Sequence, residues 1–154
     1  MDSLGKFIIK AKANGWVAAE PGGVKIAPSR KDSLDITFEE GEYFYQDSFV
    51  GLSDFCGQEH VTLKNAAVWS MAYYGYLLKP DSFSGLEVVR VLKAALATMY
   101  KEGKFLGGFS YRMGAIEYRD TNSGDYKRFD GIERILSNDE PVYELRYFGG
   151  LVRK

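Results

Sequence analysis

Four carboxylates sit in stretches where every second residue is apolar or aromatic. In "YFYQDSF" (43–49), Tyr43, Tyr45, Asp47 and Phe49 share one face of an extended chain, and in "FCGQEHVTL" (55–63) Phe55, Gly57, Glu59, Val61 and Leu63 do the same. Ile116, Tyr118, Asp120 and Asn122 repeat the first pattern, and Phe129, Gly131, Glu133 and Ile135 repeat the second. A carboxylate on an apolar face is costly unless it is hydrogen-bonded or paired, and burial raises its pKa. Functional sites gather such groups, and so do structural networks. Two chemistries follow. One is recognition of a ligand by inward acids among rings. The other is hydrolysis by paired carboxylates, using Asp47 with Glu59 or either with its counterpart later in the chain. A purely structural reading stands beside both: tyrosine hydroxyls, backbone amides at a bulge near Gly57 or Gly131, or an arginine satisfy each acid.

Other chemistries find no matching pattern. His60 follows Glu59 and so points to the opposite face of a strand. Cys56 shares the face of His60 at about 13 Å, too far for a dyad. One Cys and one His cannot build a zinc site, and no metal is expected. "DTNSGD" (120–125) opens like a calcium loop but puts Gly124 at its fifth position and Gly131 where the bidentate glutamate belongs. Gly103, Gly107 and Gly108 lack phosphate-loop spacing, and "GFSYR" has Arg112 where a nucleophile elbow needs glycine. "KFLGGFSYR" (104–112) echoes an RNA-stacking strand loosely, out of register with the recognition signature. No cofactor and no catalytic residue is assigned.

The elements that position the acids are written twice. With a shift of 73, and one residue inserted after Gly124, Gly41, Tyr45, Asp47 and Gly51 meet Gly114, Tyr118, Asp120 and Gly124. Beyond the insertion Phe55, Gly57, Glu59, Val68, Tyr73, Gly75 and Leu77 meet Phe129, Gly131, Glu133, Val142, Tyr147, Gly149 and Leu151. The expectation is a tandem duplication within one domain, with repeats at about 1–78 and 79–154. Each repeat opens with a helix. "LGKFIIKAKANG" carries Leu4, Phe7, Ile8 and Ala11 at helical spacing and stops at Asn14-Gly15. Ser84 and Glu87 form a capping box ahead of Val88, Val89, Leu92, Leu96 and Met99, and Gly103 follows. Three or four short strands come after each helix, with turns at "EEG", "KNA" and "NDEP". "AAEPGGVKIAPSRKDS" (18–33) reads as a surface excursion. The fold class is α+β, α-β(3–4) twice, with pseudo-twofold symmetry. One curved antiparallel sheet and two facing half-barrels both remain open.

Composition narrows the partners. Twenty Lys and Arg against 21 Asp and Glu give no field that draws nucleic acid or anionic lipid. Lys10 with Lys12, Arg30 with Lys31, and Lys127 with Arg128 read as solvated clusters beside acids. A single cysteine suits a reducing compartment, and the first residues hold only three adjacent apolar side chains, too few for a signal or a span. A cytoplasmic protein is expected, contacting neither nucleic acid nor membrane.

The segments "FIIKAKANGW" (7–16), "PSRKDSLDITFEEGEYFYQDSFVG" (28–51), "VWSMAYYG" (68–75) and "PVYELRYFGGLV" (141–152) resemble an uncharacterised bacterial family known as a domain of unknown function. Members of that family sometimes follow a helix-turn-helix domain in transcriptional regulators, so the resemblance implies a sensing or protein-contact role. This chain has no room for such a reader, and direct control of DNA is not expected. The functional expectation is a small-molecule-binding or regulatory domain. Its ligand-binding face comprises Tyr45, Asp47, Glu59, Trp69 and Tyr73 with Tyr118, Asp120, Glu133, Tyr143 and Tyr147. The alternative is an interaction or self-association module, a homodimer or a protein complex, built on "VWSMAYYGYL", which is apolar on both faces. Carboxylate-based hydrolysis comes third.

Overall fold

The computed structural model describes residues 1–18 and 24–153. The chain runs α1 (Ser3–Asn14), β1 (Val24–Ile26), β2 (Leu34–Glu40), β3 (Tyr43–Gly51), β4 (Phe55–Leu63) and β5 (Ala66–Leu77). It continues α2 (Gly85–Lys101), β6 (Phe109–Met113), β7 (Ile116–Asp125), β8 (Arg128–Ser137) and β9 (Glu140–Leu151). The fold is α+β. All nine described strands lie in one antiparallel sheet, ordered β1-β2-β3-β4-β5-β9-β8-β7-β6, which resolves the two open arrangements in favour of a single sheet. β5 and β9 are the central pair, with Tyr73 opposite Tyr147. From that pair a four-stranded meander runs outward on each side, and β1 adds an edge strand beside β2.

The local signals explain the elements. Asp2 caps α1 by accepting a hydrogen bond from the Gly5 amide at 3.0 Å, and Ser84 with Glu87 closes a full capping box on α2. Lys64-Asn65 and Asn138-Asp139 all have positive φ, as two-residue hairpin turns require, and Asn65, Asn138 and Asp139 are residue types that tolerate the left-handed region. Of the expected excursion at 18–33, residues 19–23 lie outside the described ones. Val24–Ile26 departs from the expectation by pairing as β1.

Strand alternation leaves one face of the sheet apolar, and both helices pack there, α1 over β2 and β3, α2 over β6 and β7, each touching the other. Phe7, Ile8 and Ala11 of α1 and Val88, Val91, Leu92, Leu96 and Met99 of α2 join Tyr45, Trp69, Tyr118 and Tyr143 of the sheet in one core. Among the described residues no helix is long and apolar enough to cross a membrane.

Candidate functional site

The site grows from a glycine–tyrosine pair that occurs on both sides of the centre. Gly57 on β4 stands opposite Tyr73 on β5, and a Cβ at Gly57 would come within 2.4 Å of the Tyr73 hydroxyl. The missing side chain lets the phenol lie flat across β4 and donate to Asp47 Oδ1 on β3 at 2.6 Å. Gly131 and Tyr147 repeat the arrangement on β8 and β9, and Tyr147 donates to Asp120 Oδ1 on β7 at 2.7 Å. Tyrosine hydroxyls therefore satisfy one oxygen of each aspartate. No bulge lies at Gly57 or Gly131. The register shifts fall at Val61/Thr62 and Ile135/Leu136, where they leave the acids untouched.

Glu59 is opposite Asp47 on the neighbouring strand and is satisfied differently. Lys12, from the last turn of α1, donates to Glu59 Oε1 at 2.7 Å and Oε2 at 2.8 Å, and its ammonium lies 3.6 Å from Met71 Sδ. The pair is sealed, with side-chain exposures of 9% and 7%. This corrects the reading of Lys12 as a solvated cluster member, and the partner is a lysine where an arginine was considered. Burial alone would depress the lysine pKa. The Glu59 carboxylate, with Tyr100 and Asp47 behind it, overrides burial and holds the ammonium charged.

Among the described residues Glu133 has no such partner. It stands between Asp120 on β7 and Leu145 on β9, and the Tyr118 hydroxyl beside it lies outside hydrogen-bond geometry. Burial, then the charge of Asp120, pushes its pKa up to about 8. Burial likewise lifts Asp120 to about 6, against the hydrogen bond from Tyr147. Asp47 is raised above the usual carboxylate range by burial and by the charge of Glu59.

These groups surround a cavity of about 130 Å³ between the two helices and the sheet. Its polar wall is Lys12, Tyr45, Asp47, Glu59, Tyr73 and Glu133. Tyr100 and apolar side chains such as Trp16, Phe55 and Leu92 complete it, and the exposed Leu52 stands at its rim. Of the ten residues expected to line a ligand face, Tyr45, Asp47, Glu59, Tyr73 and Glu133 reach the cavity. Trp69, Tyr118, Asp120, Tyr143 and Tyr147 are buried in the packing beside it. Trp69 stacks on Phe129 and donates to the Tyr126 carbonyl at 2.9 Å. Lys12 and Tyr100 are the residues that sequence reasoning missed. Tyr100 carried a signal, since it falls on the α2 stripe four positions after Leu96.

Acids on the other face of the sheet show the contrast. Asp35 accepts from Ser29, Ser33, Gln46 and Ser48. Burial would raise its pKa, but these hydrogen bonds bring it down to about 2. Glu117 accepts from Arg112 and Arg119, and Glu144 from Arg134, Arg146 and Tyr76. Cys56 and His60 lie on this same face, with Cys56 exposed. Among the described residues no group of three or more His, Cys, Asp and Glu side chains is placed to hold a metal ion.

A single α+β sheet covered on one face by two helices, with an acid-lined cavity beneath them, is the class that fold and site define. The chain belongs to the family described as a domain of unknown function (DUF5680), whose model matches residues 47–152. No curated protein and no solved structure matches the chain.

Proposed function

We propose that this protein binds a small molecule in the cavity between α1, α2 and the sheet, and acts in the cytoplasm as a sensing or regulatory domain. The observation that carries this reading is the state of the cavity wall. A fold stabilised by burial ordinarily fills such a space with side chains or pairs its polar groups. Here 130 Å³ stays open beside Glu133, which among the described residues has no ion-pair partner and no hydrogen bond of full geometry, while every acid on the opposite face named above is satisfied. A mainly apolar cavity with a few convergent polar groups is the usual form of a small-molecule site.

A thermal-shift screen of the purified protein against metabolites tests the reading. A ligand at 100 times its Kd stabilises the fold by about 2.7 kcal/mol. Hits should disappear in Leu92→Trp, which fills the cavity from α2. Hits that survive that substitution unchanged would place binding elsewhere and sink the proposal.

A second reading rests on a separate observation. On the outer face of the central pair Tyr74 and Phe148 are 51% and 64% exposed, which suits a contact with another protein or a second copy. The inner face of β5, with Trp69 and Met71, is already covered by the chain's own core. Sedimentation of the wild type against Phe148→Ser separates the cases, since a monomer in both removes the support for self-association. Hydrolysis by Asp47 with Glu59 gains little, because Lys12 engages both oxygens of Glu59.

A further inference from the structure

We infer that the cavity takes a small organic cation, an amine carried on an apolar body of about six to eight heavy atoms, held against the acids of its wall, Glu133 among them. The inference rests on the small-molecule reading above and gives that ligand its chemistry.

Three carboxyl groups, Asp47, Glu59 and Glu133, face one ammonium across the cavity. The ammonium is committed, since Lys12 spends its contacts on both oxygens of Glu59 and on Met71 Sδ. What remains open to a ligand is acidic. Asp47 is 5% exposed, yet its hydrogen bonding among the described residues stops at the Tyr73 contact to Oδ1. Tyr45 is 2% exposed, lines the same wall, and its hydroxyl makes no hydrogen bond among the described residues. A buried acceptor left open in this way is costly, and a charged donor is its strongest complement.

The apolar wall agrees with a cation. One is already held against a ring of the wall: Lys12 Nζ lies 5.9 Å from the centroid of Tyr100. Tyr73 and Phe55 offer further ring surface on the cavity wall. An anion would meet the acids, and a neutral body would bring no countercharge to ionise Glu133. The volume sets the size, since a dry cavity of about 150 Å³ holds benzene.

Among the described residues the groups facing Glu133 are Asp120 and Tyr118 from β7, Glu59 from β4, Tyr143 and Tyr147 from β9, Lys12 from α1 and Tyr100 from α2. Lys12 is their only cation, so a bound amine adds the second positive charge and lets Glu133 give up its proton. The N–H bonds of the amine stay intact. The proton leaves the Glu133 carboxyl for the buffer.

Three probes of one shape decide the matter: benzylamine, benzyl alcohol and benzoate, titrated calorimetrically at pH 7 in two buffers of different ionisation heat. Benzylamine should bind at least about tenfold more tightly than benzyl alcohol, benzoate should bind most weakly, and the buffer comparison should show proton release on amine binding. Glu133→Gln should weaken benzylamine roughly tenfold and leave benzyl alcohol within about twofold, while its melting point at pH 5 shows that it folds. Benzyl alcohol binding as well as benzylamine, or better, would overturn the cation and leave the cavity reading standing. Loss of all binding by the wild type would overturn the inference, and with a silent metabolite screen the cavity reading as well.

Discussion

A lysine sealed against a glutamate is worth more as a partner than as a source of stability. Bringing both ions out of water costs nearly what their attraction returns, but removing one leaves the other buried and unpaired. Lys12→Met is therefore expected to lower the unfolding free energy by about 3–5 kcal/mol, seen as a fall in the urea midpoint at constant slope. Lys12→Met with Glu59→Gln should recover most of that loss. A double variant as unstable as the single one would show that Lys12 acts through its packing alone.

Glu133 makes a pH prediction whose sign is fixed by the direction of its shift. The carboxyl titrates near 4.5 in the unfolded chain and near 8 in the folded one. Between those values the native state holds a proton that the unfolded state has lost, so stability falls as pH rises from about 4.5 to about 8 and is level on either side. The effect is bounded by about 5 kcal/mol. Asp120 adds a smaller slope of the same sign up to about pH 6. Denaturation of the wild type and Glu133→Gln across this window should show the slope shrinking in the variant. Parallel profiles would mean that Glu133 is ionised in the folded protein.

At the scale of elements, the strand pairs depend on two glycines for reasons of space. Gly57 and Gly131 lie under Tyr73 and Tyr147, and a methyl group at either would meet the phenol, ring or hydroxyl, at 2.4 Å or less. Gly57→Ala and Gly131→Ala should each cost about 1–3 kcal/mol by overpacking and lift the phenol off its aspartate. Ultraviolet difference spectra would follow the change around the tyrosine. Gly41 offers a control, because nothing lies within 4 Å of its Cβ. Its positive φ should limit the cost of Gly41→Ala to about 1–2 kcal/mol with no spectral change. Equal losses and equal spectra at all three positions would exclude the ring contact as the cause.

At the scale of the molecule, the two meanders share their hydrogen bonds at β5–β9 and their core beneath the helices. Phe55 stacks on Tyr143 across the seam, and Trp69 on Phe129. Unfolding should be one cooperative transition, with tryptophan fluorescence and far-ultraviolet dichroism giving the same midpoint. Two separated midpoints would mean that each meander holds its own core.

Much of this was legible along the chain, and one decisive contact was not. Alternation with period two assigned Asp47, Glu59, Asp120 and Glu133 to the inner face, because a strand fixes the side of every residue once one is known. Capping at Ser84 and the turns at Lys64-Asn65 and Asn138-Asp139 were equally local, set by side chains acting on their own backbone. Lys12 was different. Its position on α1 says only that it lies one residue from Ala11. Whether that flank meets water or Glu59, 47 residues later, depends on how α1 lies across β2 and β3. The angle of that packing is set by the fit of both helices over one sheet, a property of many side chains at once. The same fit left a space beside Glu133, so the sequence by itself determined which acids point inward, and the tertiary structure alone decided which of them meets a partner and which meets a cavity.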